Sequence, residues 1–440
     1  MSGKKIIKIT GNINYFVVLT ILCPPLGLIL GYLSVIRKDI FGYHPKTTAF
    51  CFALFLASVA YSYIPVGAPD LVRYFEFVDE VKRHDLLDAL QNGIHGESNL
   101  QTFATFSWIV GRIGDYHLLP GISVFITYFI GIYVTMSFAK DMKANALSMA
   151  ATVSVVMLMP NYCSVTNNVR NILAFSLVGL AIFRDCYQKK RNIWTFLLYF
   201  LPIFLHPSSI LLIALRFAVI LPGKIKVLSS IFMLFMVEIV NIVYELSGRI
   251  SGGSLVGKII KDFAYKGYAF FNDTNSAWGM AVAKSGSYKL QRYLYISFAA
   301  LFCVVCIIVV SDIKKREETS KATVKLKKMF GIYICDNKYC QLVDFSFYAG
   351  LLTIACLPML MPEFWRFASA TLLFSGPAML YSMNKLKKVR YYSYSLLCYV
   401  PMCMAIWIRD LRLSNIPYLL VNPFFSSPLI IVGKNIAKLF

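Results

Sequence analysis

Apolar runs long enough to cross a hydrocarbon core recur from one end of the chain to the other, and clusters of Lys and Arg close many of them. Placing those clusters on one side predicts spans near 13–36, 48–65, 119–138, 145–162, 168–184, 193–206, 208–222, 227–246, 292–311, 341–361, 366–384 and 391–409, with 416–433 as a candidate last one. The expectation is an all-α polytopic membrane protein of about 11–13 transmembrane helices, read as one integral domain over 1–440. Pro202 and Pro207 leave segment 193–222 open between one broken helix and two short ones. The N-terminal run continues to Ile36 without a small-x-small cleavage site, so it reads as a retained first span. Lys4, Lys5 and Lys8 run against the orientation the other clusters impose, and the direction of that first helix stays open.

Between the spans the polar stretches are uneven. Two long loops are expected on the outer side, near 66–118 and 247–291. In the first, an amphipathic helix is predicted from Pro69 or Asp70, both good helix-starting residues. The stretch TFATFSWIVGRIGDYHLL follows; it is too short and polar to span and suits a re-entrant or interfacial segment. The inner loops are short except the lysine-rich linker near 312–340, and no internal repeat is visible.

Composition narrows the class further. With 58% hydrophobic and 15% charged residues and a mean hydropathy of +0.63, the chain is not a soluble globular protein. A net charge of +22 would suit a nucleic-acid binder, but the basic residues sit at helix ends, as in Lys189-Lys190-Arg191 and Lys385–Arg390. That is the positive-inside pattern, and nucleic acid is not expected as a partner. The 11 cysteines lie mostly in apolar runs and form no disulfide framework. Cys303 and Cys306 have metal-like spacing but no second pair, and Cys335 and Cys340 also lack one, so no metal and no cofactor is expected.

Against this apolar background a few polar residues stand out. Arg170 follows Asn167 and Asn168 at the outer start of an apolar helix, where its guanidinium fork and the helix dipole both suit a phosphate or pyrophosphate. Snorkelling to lipid headgroups is the plainer reading. After the basic hinge RDCYQKKRN the chain returns through a second apolar run to His206, with Ser208 beside it. An imidazole of ordinary pKa near 6.5 suits a general base for a hydroxyl, although a buried histidine is often only packed. Asp70, Arg73 and Tyr74, spaced i, i+3 and i+4, are expected on one helical face just after a span. Arg366, after Glu363, Phe364 and Trp365, repeats the arrangement of Arg170, so the arginines suggest an outward cationic pocket.

Three stretches carry a resemblance to a known family: Asp70-Leu-Val-Arg73-Tyr74; Arg170-Asn-Ile-Leu-Ala174 with the hinge and Leu205-His206-Pro207-Ser208; and Arg366. Together they resemble the EpsG-like group of bacterial polysaccharide polymerases, related to the Wzy O-antigen and capsule polymerases. Asn171 stands where that group often carries Gln, so no role is carried over to it. The resemblance implies a GT-C-like, metal-independent glycosyltransferase of the bacterial inner membrane, with its active site facing the periplasm. It would join oligosaccharide repeat units carried on undecaprenyl pyrophosphate, with a chain-length regulator and a flippase as potential partners in the bilayer. Arg170 and Arg366 would clamp the pyrophosphate, His206 would be the candidate base, and Asp70 the alternative base. Arg73, Tyr74, Asn167 and Ser208 would bind substrate. A flippase for lipid-linked oligosaccharide and an O-antigen-ligase-like transferase are the alternatives.

Overall fold

The computed structural model describes residues 13–37, 44–65, 69–91, 100–221, 223–248, 286–319, 327–329, 332–334, 337–357, 364–411, 421–424 and 427–437, with residues 261, 265 and 268 singly. The chain forms two compact units, Met1–Ile213 with Leu372–Phe440, and Ala214–Thr371.

In the first unit, α1 (Ile13–Leu22) and α2 (Pro24–Ile36) are parted by the Pro24-Pro25 pair, which removes two backbone donors. Next comes α3 (Pro45–Tyr61), whose first position is the proline that such a start favours. Three short helices follow: α4 (Asp70–Val81), α5 (Leu86–Gln91) and α6 (Gln101–Ile113). The central helix is α7 (Leu118–Met142), and α8 (Ala146–Leu158) packs beside it. Then α9 (Tyr162–Asn167) leads across Asn168 into α10 (Val169–Ile182), which continues through a π turn, Phe183–Tyr187. The return limb is α11 (Ile193–Phe200) with a 3-10 turn, Leu201–Phe204, and then α12 (Ser209–Ile220), in which the unit boundary falls. Pro202 and Pro207 thus make two short helices of 193–222.

α3 lies along α7, and α2 and α10 flank that pair. Gly27 permits a close backbone approach: a Cβ there would stand 2.4 Å from the Cys51 carbonyl oxygen, so only glycine fits. The buried polar groups pair across helices. Tyr162 donates to the Leu56 carbonyl at 2.7 Å, and the Tyr32 and Ser154 hydroxyls meet at 2.8 Å. Without water such groups must bond within the protein.

The second unit holds α13 (Gly223–Leu234), α14 (Met236–Ser247) and α15 (Gly286–Thr319). After it come a small antiparallel ribbon of β1 (Lys327–Met329) and β2 (Ile332–Ile334), and then α16 (Lys338–Ala355). α15 packs along α16, and α13 is joined to α16 by an ion pair between Lys226 and Asp344, both nearly buried. α17 (Phe364–Leu373) crosses back into the first unit. There α18 (Gly376–Lys385), α19 (Arg390–Ser395) with a 3-10 turn, α20 (Tyr399–Leu411) and α21 (Pro428–Ala437) complete the chain.

The described helices make this a helical protein, with Leu118–Met142, Tyr288–Arg316 and Arg390–Asp410 each long and apolar enough to cross a membrane. The pair Ile225–Leu234 and Met236–Ser247, bent by 71°, adds a fourth if it is one broken span. Other apolar helices, among them Pro45–Tyr61 and Ala146–Leu158, fall short of 18 residues. The sequence predicts more continuous spans because hydropathy does not register where prolines or short turns cut a run. Segment 416–433 shows this: its described parts are a helical turn at 421–424 and the start of α21. The outer-loop expectation for 247–291 lies largely outside the described residues.

Candidate functional site

The site is assembled at the start of α10. α4 is amphipathic, burying Leu71, Tyr74, Phe77, Val78 and Val81 at helical spacing. The expectation that Asp70, Arg73 and Tyr74 share a face needs correcting. Arg73 pairs with Asp70 but is 71% exposed, whereas Tyr74 turns inward and is buried. An ion pair that open contributes about 0–1 kcal/mol.

Tyr74 meets Arg170. The Nε of Arg170 donates to the Tyr74 hydroxyl at 3.1 Å, and its guanidinium carbon lies 4.9 Å from the Tyr74 ring centre. Phe103 of α6 forms the other wall, 5.3 Å from the same carbon. The two rings pack edge to face at 5.2 Å, and Phe77 stacks on Phe103 at 5.3 Å. Each ring attracts the cation by roughly 0.5–2 kcal/mol, depending on how far water is excluded. The two rings thus fix the orientation of the Arg170 guanidinium at a helix start.

Polar residues punctuate the chain just before and after Arg170. Asn161 caps α9, its Oδ1 accepting from the Ser164 amide at 3.0 Å. At the other end of α9 the Asn167 Nδ2 donates to the Tyr63 hydroxyl at 3.2 Å. The Oδ1 atoms of Asn167 and of buried Asn171 have no hydrogen-bond partner among the described residues. A buried carboxamide oxygen left so is costly unless something donates to it.

The return limb brings His206 to the same end. At the hinge, Arg184 donates to the Thr195 hydroxyl at 3.2 Å and to the Asn192 carboxamide oxygen at 3.1 Å. Arg191 pairs with Asp185 at 2.6 Å. Counting from the Arg184–Thr195 contact, the limb climbs about 18 Å to His206, at about 1.5 Å per α and 2.0 Å per 3-10 residue. The 3-10 turn that leads to His206 packs against α10 and α6. The His206 Nδ1 accepts from the Ser208 amide at 3.3 Å and lies 2.6 Å from the Ser208 hydroxyl oxygen. An amide can only donate, so this contact suits the tautomer in which Nδ1 carries the lone pair and the proton sits on Nε2. Ser208 is therefore placed to pass a proton to the ring.

Arg366 belongs to the second unit. Its guanidinium carbon lies 5.7 Å from the ring centre of its neighbour Trp365, which is buried. Glu363 lies outside the described residues, as does the side chain of Phe364. Among the described residues no group of three or more His, Cys, Asp or Glu is arranged to hold a metal ion. Cys303 and Cys306 are buried in α15, and the Cys340 thiol donates to Asp344 at 3.7 Å; Cys335 is outside the described residues.

Sequence reasoning missed Phe103, Tyr63 and Asn161. Phe103 lies in the stretch read as interfacial, and Asn161 follows a proline at a helix start, a capping signal.

Helical architecture and several membrane-length apolar segments define a membrane protein. A family model described as the EpsG family matches residues 46–420, and the chain belongs to that family. Membership supports a role in polysaccharide biosynthesis, as a polymerase or a glycosyltransferase-like protein. No curated protein and no solved structure matches the chain.

Proposed function

We propose that this protein is a polysaccharide polymerase, a glycosyltransferase that joins oligosaccharide repeat units carried on undecaprenyl pyrophosphate. It would work at the periplasmic face of the bacterial inner membrane, in a GT-C-like arrangement of about 11–13 spans with periplasmic loops near 66–118 and 247–291. The observation that carries this reading is Arg170, held by Tyr74 and Phe103 at the first turn of α10. A guanidinium fixed beside a helix N-terminus is suited to a pyrophosphate.

In the reaction, an acceptor sugar hydroxyl attacks the anomeric carbon of the donor. The bond from that carbon to the phosphate oxygen breaks, and polyprenyl pyrophosphate leaves with the bonding electrons. Arg170 and Arg366 stabilise the charge that develops on the leaving group. The acceptor proton passes through the Ser208 hydroxyl to the Nδ1 of His206. Asn167 and Tyr74 orient Arg170 and the glycan, while Asp70 with Arg73 is the alternative base and its partner. A lipid-linked glycan is the substrate, and a flippase and a chain-length regulator are the expected neighbours in the membrane.

Purified protein in detergent, given a synthetic polyprenyl-pyrophosphate oligosaccharide, is expected to lengthen the glycan and release polyprenyl pyrophosphate. A transporter would leave the substrate unchanged, and a ligase would act only with a different acceptor. Arg170→Ala and Arg366→Ala should abolish long chains while the protein still inserts; normal chain-length ladders from both would remove the clamp. His206→Ala with unchanged product would reduce the histidine to packing and favour Asp70.

A further inference from the structure

One acidic residue takes part in none of this. Asp410 is the sole acidic side chain after Glu363, and it stands at the end of α20. Its Oδ2 accepts from the Nδ2 of Asn161 at 2.9 Å, while Arg409 donates through Nε to its Oδ1 at 2.9 Å. One turn earlier in α20, the Trp407 indole donates to the Pro160 carbonyl at 2.7 Å, and its ring lies 5.1 Å from that of Tyr162. Three contacts from α20 thus converge on Pro160, Asn161 and Tyr162, where α9 begins.

α9 is six residues long, about 9 Å. It ends at Asn167, and after the non-helical Asn168 the next helix carries Arg170 on its first turn. A six-residue helix has little stability of its own, so its position is set by what holds its ends. One end is held by Tyr63 through Asn167 and the other by α20 through Asn161.

We propose that Asp410 is a positioning residue for the site: through Asn161 it holds α9 in the placement that sets Asn167 and Arg170. This rests on the reading of Arg170 as the pyrophosphate ligand. A displacement of about 1 Å at a reacting centre can lower a rate about 10²-fold, which makes such a remote tie consequential.

The pair allows an exchange test. Asn161→Asp keeps a good helix cap but sets two carboxylates against each other, so glycan elongation should fall at least about tenfold through kcat. Asp410→Asn preserves an acceptor for Asn161 and should stay within about threefold of wild type. The double variant Asn161→Asp, Asp410→Asn reverses the hydrogen bond and should recover to that same level. A purely structural loss would lower the yield of monodisperse protein instead, so kcat and KM are measured on the monodisperse fraction. Full activity in Asn161→Asp overturns the proposal, and so does a double variant no better than the single one. Hydrogen exchange of the 161–170 amides separates this tie from the role of Arg170. Exchange should quicken in Asn161→Asp and return to normal in the double variant, also when Arg170 is replaced by Ala. If Arg170→Ala keeps full activity, the ligand reading fails and the positioning proposal fails with it, even where the exchange data support the tie. If Arg170→Ala is inactive and exchange in Asn161→Asp is unchanged, only the positioning proposal fails.

Discussion

At the scale of single residues, the site depends on how one guanidinium is oriented. Tyr74 contributes both a ring and a hydroxyl to Arg170, so two substitutions separate the parts. Tyr74→Phe removes one hydrogen bond to a charged group, worth about 1.5–3 kcal/mol, and keeps the ring. Tyr74→Ala also removes the wall that Phe103 packs against. Elongation by purified protein should therefore fall in the order wild type, Tyr74→Phe, Tyr74→Ala, with insertion intact in the first variant. Equal activity in Tyr74→Phe and wild type would show that the ring alone orients Arg170. Part of this was legible from sequence: a charged residue inside an apolar pattern is conspicuous, and Arg170, Arg366 and His206 stand out for that reason. Their partners do not. Tyr74 lies 96 residues from Arg170 and Asp410 lies 249 from Asn161, and no local pattern encodes contacts so distant.

At the scale of elements, prolines and caps decided the outcome. The amphipathic helix predicted from Pro69 or Asp70 forms as Asp70–Val81, because a strong period of apolar residues survives into the structure. Hydropathy alone did not reveal where Pro24, Pro202 and Pro207 break apolar runs into shorter helices. In the second unit, the junction of α13 with α16 rests on the Lys226–Asp344 pair. Removing one partner of such a buried pair costs about 3–5 kcal/mol, since the other charge is left in low dielectric. Replacing both with apolar residues of similar volume is often neutral. Lys226→Met alone should therefore lower the thermal midpoint in detergent well below that of Lys226→Met with Asp344→Leu. Equal midpoints would show that the pair carries no weight.

At the scale of the whole molecule, the basic clusters bear on orientation. A reporter enzyme active only after export, fused after Lys190, should be silent, and fused after Ser208 it should be active. The reverse pattern would turn the site toward the cytoplasm and exclude a periplasmic polymerase. Helical class and family were readable because hydropathy and three short motifs extend over the chain. Where an apolar run bends was not, because hydropathy measures burial in lipid or protein alike and cannot tell a bend from a crossing.

The π turn at the end of α10 has one more consequence. Its signature bond runs from the Gln188 amide to the Phe183 carbonyl at 3.0 Å, five residues back. A π turn holds one residue more than the α-helix around it, and each residue of an α-helix turns the chain by about 100°. This inserted residue sets the angular phase between the hinge, where Asp185 and Tyr187 lock to Arg191 and Asp141, and the end that bears Arg170. α10 works as a keyed shaft: a one-residue deletion in 183–187 would leave its length and hydropathy almost unchanged, yet rotate the cation out of its slot between Tyr74 and Phe103.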